Sequence, residues 1–249
     1  MTNLKNFKSI LWFSIIVFAT SILINIASSY LVILTKIPLS LLAYIQFILL
    51  MLAYVFLNKR IAMKRIHIKS YLPFKYQIIP YLTAMLMIVY FLRPNSHNAE
   101  ITFNQFFIVN IANCVGAAIC EEYFVRGILL KSLLQLYKKS GRMGTLYAIF
   151  AASVIFALFH TFEAVITKSW IEILVPFCLG IILCAIYIAC ESIIPCIIFH
   201  FAYDFMVYFL NNNVAGITIP EYIIITFIIT SIILLPVMWR GSISEKFYK

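Results

Sequence analysis

Five ionisable residues stand inside apolar stretches of this 249-residue chain: Glu121, Glu122, His160, His200 and Asp204. Placing such a group in hydrocarbon costs about 2.5–3.5 kcal/mol on insertion scales, so an intramembrane charge reads first as a functional site. Only four histidines are present. His67 and His97 fall in connecting segments, whereas His160 and His200 lie in apolar runs with a carboxylate three or four residues on. Two imidazoles and two or more carboxylates can hydrolyse a bond in two ways. They can hold zinc through His160, His200 and a carboxylate, with water as fourth ligand. Alternatively, Glu121 and His160 can activate water directly, while His200 and Asp204 stabilise the oxyanion.

The elements that must position these groups follow from composition. The chain is 64% hydrophobic and 11% charged, with a mean hydropathy of +1.01. A soluble domain carries about 25% charged residues. So much apolar surface needs lipid, and the runs are continuous rather than alternating, which argues against a β-barrel. The fold class expected is all-α, a single polytopic bundle over 1–249. About eight spans are expected, near 9–34, 39–57, 76–93, 102–130, 145–167, 173–190, 192–210 and 219–239. Segment 58–75, with Lys59, Arg60, Lys64, Arg65, Lys69 and Lys75, reads as a short amphipathic stretch along the headgroups. The six cysteines lie in apolar segments without metal-finger spacing, and no disulfide framework is read from them.

Orientation follows from Lys and Arg. With the N-terminus inside, Lys5, Lys8, the six basic residues of 58–75, Lys131, Lys138, Lys139, Arg142, Arg240, Lys246 and Lys249 are cytoplasmic. Outside are Lys36, Arg93 and Lys168, while Arg126 lies within a span. Fifteen against three favours both termini in the cytoplasm. The net charge of +10 therefore marks cytoplasmic loops, and no nucleic-acid partner is expected.

Depth brings the polar groups together. The fourth and fifth spans form a hairpin around 139–142, with Glu121 and His160 each about 20 residues from its turn. Equal rise per residue places both at one level, roughly 15 Å deep in the cytoplasmic half, and His200 falls in the same layer. Residues four apart share a helix face. Glu122 thus pairs with Arg126, His200 faces the same way as Asp204, and Phe156 the same way as His160. Glu121 points elsewhere, which leaves its carboxylate available as a general base. Glu163, one turn past His160, reads as facing the outer part of the cavity, and Glu191 as a helix-start charge.

Three short motifs carry a resemblance. Glu121-Glu122-Tyr123-Phe124-Val125-Arg126 resembles the Glu-Glu-x-x-x-Arg motif of the CAAX-protease and bacteriocin-processing family. Phe156-Ala157-Leu158-Phe159-His160 resembles its Phe-x-x-x-His motif, and His200-Phe201-Ala202-Tyr203-Asp204 its His-x-x-x-Asn/Asp motif. The three occur in the family's order within 102–210, the expected catalytic core. The resemblance implies an intramembrane endopeptidase acting near the cytoplasmic face on a peptide or membrane protein. It assigns Glu121 as principal base with His160 beside it, and places His200 and Asp204 at the oxyanion or the metal. Arg126 and Phe156 are implied as supporting residues. A zinc ion would take Glu121, His160, His200 and Asp204 as its candidate ligands. Where prenyl endopeptidases carry Asn in the third motif, this chain has Asp204, which favours metal ligation or orientation of His200.

A second class of function keeps the fold without the chemistry: a bacteriocin self-immunity protein that acts by binding. The retention of every motif charge at one depth favours the enzyme, because a binder has no physical reason to bear that insertion cost. A transporter is disfavoured, since no inverted repeat is evident. The Lys- and Ile-rich composition points to a bacterial plasma membrane as the location.

Overall fold

The computed structural model describes residues 4, 6–35, 38–70, 72–91, 105–209 and 219–240. Lys5, Lys36, Arg93, Pro94, His97, Lys246 and Lys249 lie outside them, as do 102–104 and 210 of the expected core. The described residues are helices and connections without a strand, as expected of an all-α membrane bundle. Helix α1 spans Phe7–Thr35, α2 Leu39–Leu57, α3 Ile78–Phe91 and α4 Gln105–Glu122. Next come α5 Lys131–Leu136, α6 Gly141–Phe159, α7 Thr161–Thr167, α8 Ile171–Cys190, α9 Ile193–Phe209 and α10 Ile219–Arg240. Among the described residues, five helical stretches are long and apolar enough to cross a membrane, judged by length and composition. Shorter apolar helices run over Ile193–Tyr208 and Ile223–Leu235.

Helix α8 is the axis of the bundle. It is buried from Cys178 to Cys190 and packs against α6 on one side and α10 on the other. Helix α4 lies against α2 and α9, and α1 covers α2. Lipid-facing side chains such as Trp12, Leu23, Leu52, Leu86, Phe150 and Phe227 remain exposed on the outer surfaces. Interior contacts use small residues where helices close up, as membrane helices must without a hydrophobic drive between them. At Gly180 an added Cβ would stand 3.1 Å from Ser153 Cβ, tighter than an ordinary contact, so glycine suits the close approach of α8 to α6.

Three local features depart from the expected run of helices. Between α4 and α5 the chain does not continue as α-helix: Tyr123–Leu130 form an eight-residue π-helix. Wide helical turns of this kind are rare and recur at functional sites. The expected fifth span, 145–167, is two pieces. Helix α6 ends at Phe159, His160 sits at the break with φ −90° and ψ 6°, and its N–H bonds the Ala157 carbonyl in a tightened last turn. The hairpin between α5 and α6 turns at Gly141, whose φ of 58° is the left-handed region glycine adopts without steric cost.

The third departure is the basic connection. Among the described residues of 58–75 no amphipathic helix forms. A single π turn at Asn58–Ala62 is followed by an irregular strap that folds onto the ends of α5 and α9. The Ile193 amide donates to the His67 carbonyl (2.9 Å), and the Ser192 hydroxyl donates to the Ile68 carbonyl (2.5 Å). The Lys131 ammonium donates to the Arg65 carbonyl (2.8 Å) and lies 2.9 Å from His67 Nε2. Lys64 and His67 are buried, while Lys59, Arg60, Arg65 and Lys69 stay exposed. The strap wins over an in-plane helix because these side chains and main-chain carbonyls find partners on the bundle itself.

Candidate active site

The site is assembled from three places: the α4–π-helix junction, the α6–α7 break and the middle of α9. Glu122 closes α4, and its Oε1 receives two donors. Arg126 Nη1 donates at 2.7 Å from within the π-helix, and His200 Nδ1 donates at 2.8 Å from α9. Both Glu122 and Arg126 are fully buried. Arg126 Nη2 donates onward to the Gly180 carbonyl of α8 at 3.2 Å. The expected Glu122–Arg126 pair is therefore present, and it also holds His200. A buried ion pair of this kind is tolerated because each partner offsets the other's desolvation.

With Nδ1–H directed at Glu122, His200 turns Nε2 towards two further carboxylates. Glu121 Oε2 stands 3.7 Å away and Asp204 Oδ2 3.5 Å away. Both spacings exceed a good direct hydrogen bond and suit a bridging water or a substrate atom. Among the described residues, Glu121 Oε2, Glu122 Oε2 and Arg126 Nε are buried and meet no hydrogen-bond partner. Buried polar groups are almost always satisfied, so three unsatisfied atoms in one cluster mark a site built for something other than packing.

Phe156 is the packing piece at the centre. The Arg126 guanidinium carbon lies 4.9 Å from its ring centroid. The imidazoles of His160 and His200 stand edge-on to it, at centroid distances of 5.1 and 6.2 Å. Two histidines from different helices thus lean on one aromatic ring.

Glu163 is the residue that sequence reasoning set aside. Its Oε2 accepts a 2.7 Å hydrogen bond from His160 Nδ1, so it belongs to the site rather than merely to the cavity's outer part. The signal was available: an acid at i+3 can reach a histidine across one turn. Glu191 occupies the α8–α9 turn in a left-handed conformation at φ 51°, buried rather than opening α9 as a solvated charge.

Metal binding is a question of donor chemistry and spacing. Tetrahedral zinc takes nitrogen and oxygen ligands at roughly 2.0–2.2 Å, which sets neighbouring ligand atoms about 3.4 Å apart. The two His200 Nε2 separations approach that spacing pair by pair. Among the described residues, however, no three His, Cys, Asp or Glu side chains stand together as a group that would hold an ion. The donor types fit zinc, but the set as arranged does not close on one.

Taken together, a bundle of apolar helices enclosing a carboxylate–imidazole cluster has the form of an intramembrane hydrolase. Residues 103–206 match the family model described as type II CAAX prenyl endopeptidase Rce1-like, the CAAX-protease family that the three motifs also resemble. The match begins just before α4 and ends within α9, so it takes in every residue of the site. No curated protein and no solved structure matches the chain.

Proposed function

We propose that the chain is an intramembrane endopeptidase in which Glu121 activates water against a peptide bond. The observation that supports this most strongly is the division of labour around His200. Nδ1 is anchored by Glu122, itself neutralised by Arg126, and Nε2 faces the unpartnered Glu121 carboxylate and Asp204. On this reading Glu121 takes a proton from water as the new C–O bond forms at the scissile carbonyl. His200, protonated on both nitrogens, donates through Nε2 to the developing oxyanion, and Asp204 balances its charge. The C–N bond then breaks, and the proton held by Glu121 passes to the leaving amine. His160, fixed by Glu163, lines the same site and assists that transfer.

The substrate on this reading is a peptide or a membrane protein in a bacterial plasma membrane. The test is a peptidase assay on membranes carrying wild type, Glu121→Ala, His160→Ala or His200→Ala at matched abundance. Loss of cleavage in each variant is expected. Undiminished biological protection by all three variants, without cleavage by wild type, would favour the binding-type immunity protein. Metal analysis of the purified chain, paired with a chelator in the same assay, separates zinc-assisted from metal-free hydrolysis.

A further inference from the structure

The connection between α2 and α3 divides its basic residues into two sets. Lys64 and His67 are buried against the bundle, Lys64 on Gln135 and His67 beside Lys131. Lys59, Arg60, Arg65, Lys69 and Lys75 stay exposed. Among the described residues none of these five forms an ion pair. The chain has no Asp or Glu before Glu100, so the connection holds no acid of its own. Glu191, in the α8–α9 turn beside which the connection is bonded, is buried and does not reach the surface. The Arg60 guanidinium carbon lies 5.6 Å from the Phe56 ring centroid, and the Lys75 ammonium 5.1 Å from that of Tyr76. Such contacts orient a cation without neutralising it. Five like charges on one segment are thus exposed without a counter-charge from the described protein.

The helices set the level of these charges. Helix α2 has 19 residues and rises roughly 28 Å at 1.5 Å each, close to the hydrocarbon thickness of about 30 Å. Lys59 and Arg60 follow its last residue directly, at headgroup depth. The chain beyond them is fastened to the bundle end. The Met63 amide donates to the Asn58 carbonyl (2.6 Å), and Met63 takes a left-handed φ of 50°, uncommon for a residue with a side chain. Gly127 of the π-helix leaves the room that Ile66 fills, whose Cδ1 lies 2.6 Å from where a Cβ would stand. Between the cations, Met63, Ile68 and Phe74 remain exposed. Large apolar side chains interspersed with Lys and Arg suit the layer where acyl chains meet phosphates.

We infer that this face is a docking surface for an anionic phospholipid. Its phosphate is bound by the exposed Arg and Lys side chains, while Met63, Ile68 and Phe74 rest against its acyl chains. Guanidinium and ammonium groups both recognise phosphate, and a Lys/Arg cluster beside a span favours anionic lipid. The surface stands apart from the endopeptidase reading, because binding alone is measured. The purified full chain in a neutral detergent is titrated with spin-labelled phosphatidylglycerol and, separately, with spin-labelled phosphatidylcholine. Wild type should bind phosphatidylglycerol about 10-fold more tightly. That preference should shrink as salt is raised. The variant Lys59→Gln/Arg60→Gln/Arg65→Gln/Lys69→Gln should bring the two lipids within about 2-fold of each other. Arg65→Gln/Lys69→Gln should fall between it and wild type, and carries the test where the fuller variant fails to fold. Equal affinity of wild type for the two lipids would overturn the inference. So would an equal loss in the charge-matched hairpin variant Lys139→Gln/Arg142→Gln, since total charge rather than this surface would then select the lipid. Release of the labelled phosphatidylglycerol by millimolar inorganic phosphate would overturn the choice of lipid and leave a site for free phosphate.

Discussion

Two polar clusters are buried in this apolar bundle, one around His200 and one under the 58–73 strap, and they handle hydrogen bonds differently. Under the strap, polar side chains are used on main chain. The Asn58 amide donates to the Lys64 carbonyl (2.9 Å) and to the Tyr123 hydroxyl (3.0 Å), and its oxygen accepts the Lys64 amide (2.9 Å). The ammonium groups of Lys131 and Lys64 donate to the Arg65 carbonyl and to Gln135. Around His200 the side chains bond one another, three carboxylates face one imidazole, and three buried atoms stay without a hydrogen-bond partner. The first pattern closes a loop onto a helix end. The second holds charge ready for a group that enters from outside. The clusters meet at the π-helix: Tyr123 belongs to the strap network, while Glu121 and Glu122 immediately precede it.

Substitutions should therefore sort by cluster. The largest effect is expected where the site depends on one cation. Arg126→Ala leaves Glu122 fully buried with only His200 opposite, and should destabilise by about 3–5 kcal/mol. A thermal melt in detergent and the yield of folded protein measure this, and a wild-type melt would contradict it. Asp204→Asn removes charge from the Nε2 side of His200 while keeping the side chain's shape. Cleavage should fall about 10–100-fold with the melt unchanged. An equal or faster Asn variant would show that the charge is dispensable and that the position acts only through hydrogen bonding at the oxyanion.

On the strap the order reverses. Asn58→Ala should lower stability by roughly 1–3 kcal/mol, since it strands the Lys64 main chain, and should leave the cleavage rate per folded molecule as it was. A large loss of rate without loss of stability would erase the distinction between the clusters. The smallest effect concerns acid. Burial, then the charges of Lys131 and Arg65, push His67 down from its ordinary 6.5 to about 4. A histidine kept neutral in the fold binds its proton more readily when unfolded. Its contribution is therefore complete above pH 6.5 and is lost as pH falls towards 4. Melts across that window should show a decline that His67→Gln flattens.

Much of this arrangement was legible in the chain itself. Long apolar runs place most of the long helices, because a helix must cover the hydrocarbon whatever its neighbours do. The motif residues Glu121, Glu122, His160, His200 and Asp204 were picked out by cost, since a charge without function is rarely kept in such a run. The helix type over Tyr123–Leu130 was not legible, because an apolar run reads alike in α and π form. Nor was the break at His160, where the same run continues to Thr167 without proline or glycine. Glu163 was passed over because its spacing suits a solvated acid as well as a histidine partner. The strap was misread because Lys64 and His67 look like headgroup-facing residues until α5 and α9 supply carbonyls and amides for them to meet.

The most direct measurement is the cleavage rate of the purified chain and its Glu121→Gln variant on a mixed peptide library, at equal folded concentration. Gln keeps the size of the side chain and removes its capacity to take a proton from water. Wild type should cleave, and the variant should be slower by about 10²–10⁴-fold with an unchanged melt. Cleavage by Glu121→Gln at the wild-type rate would contradict the assignment of Glu121 as the base.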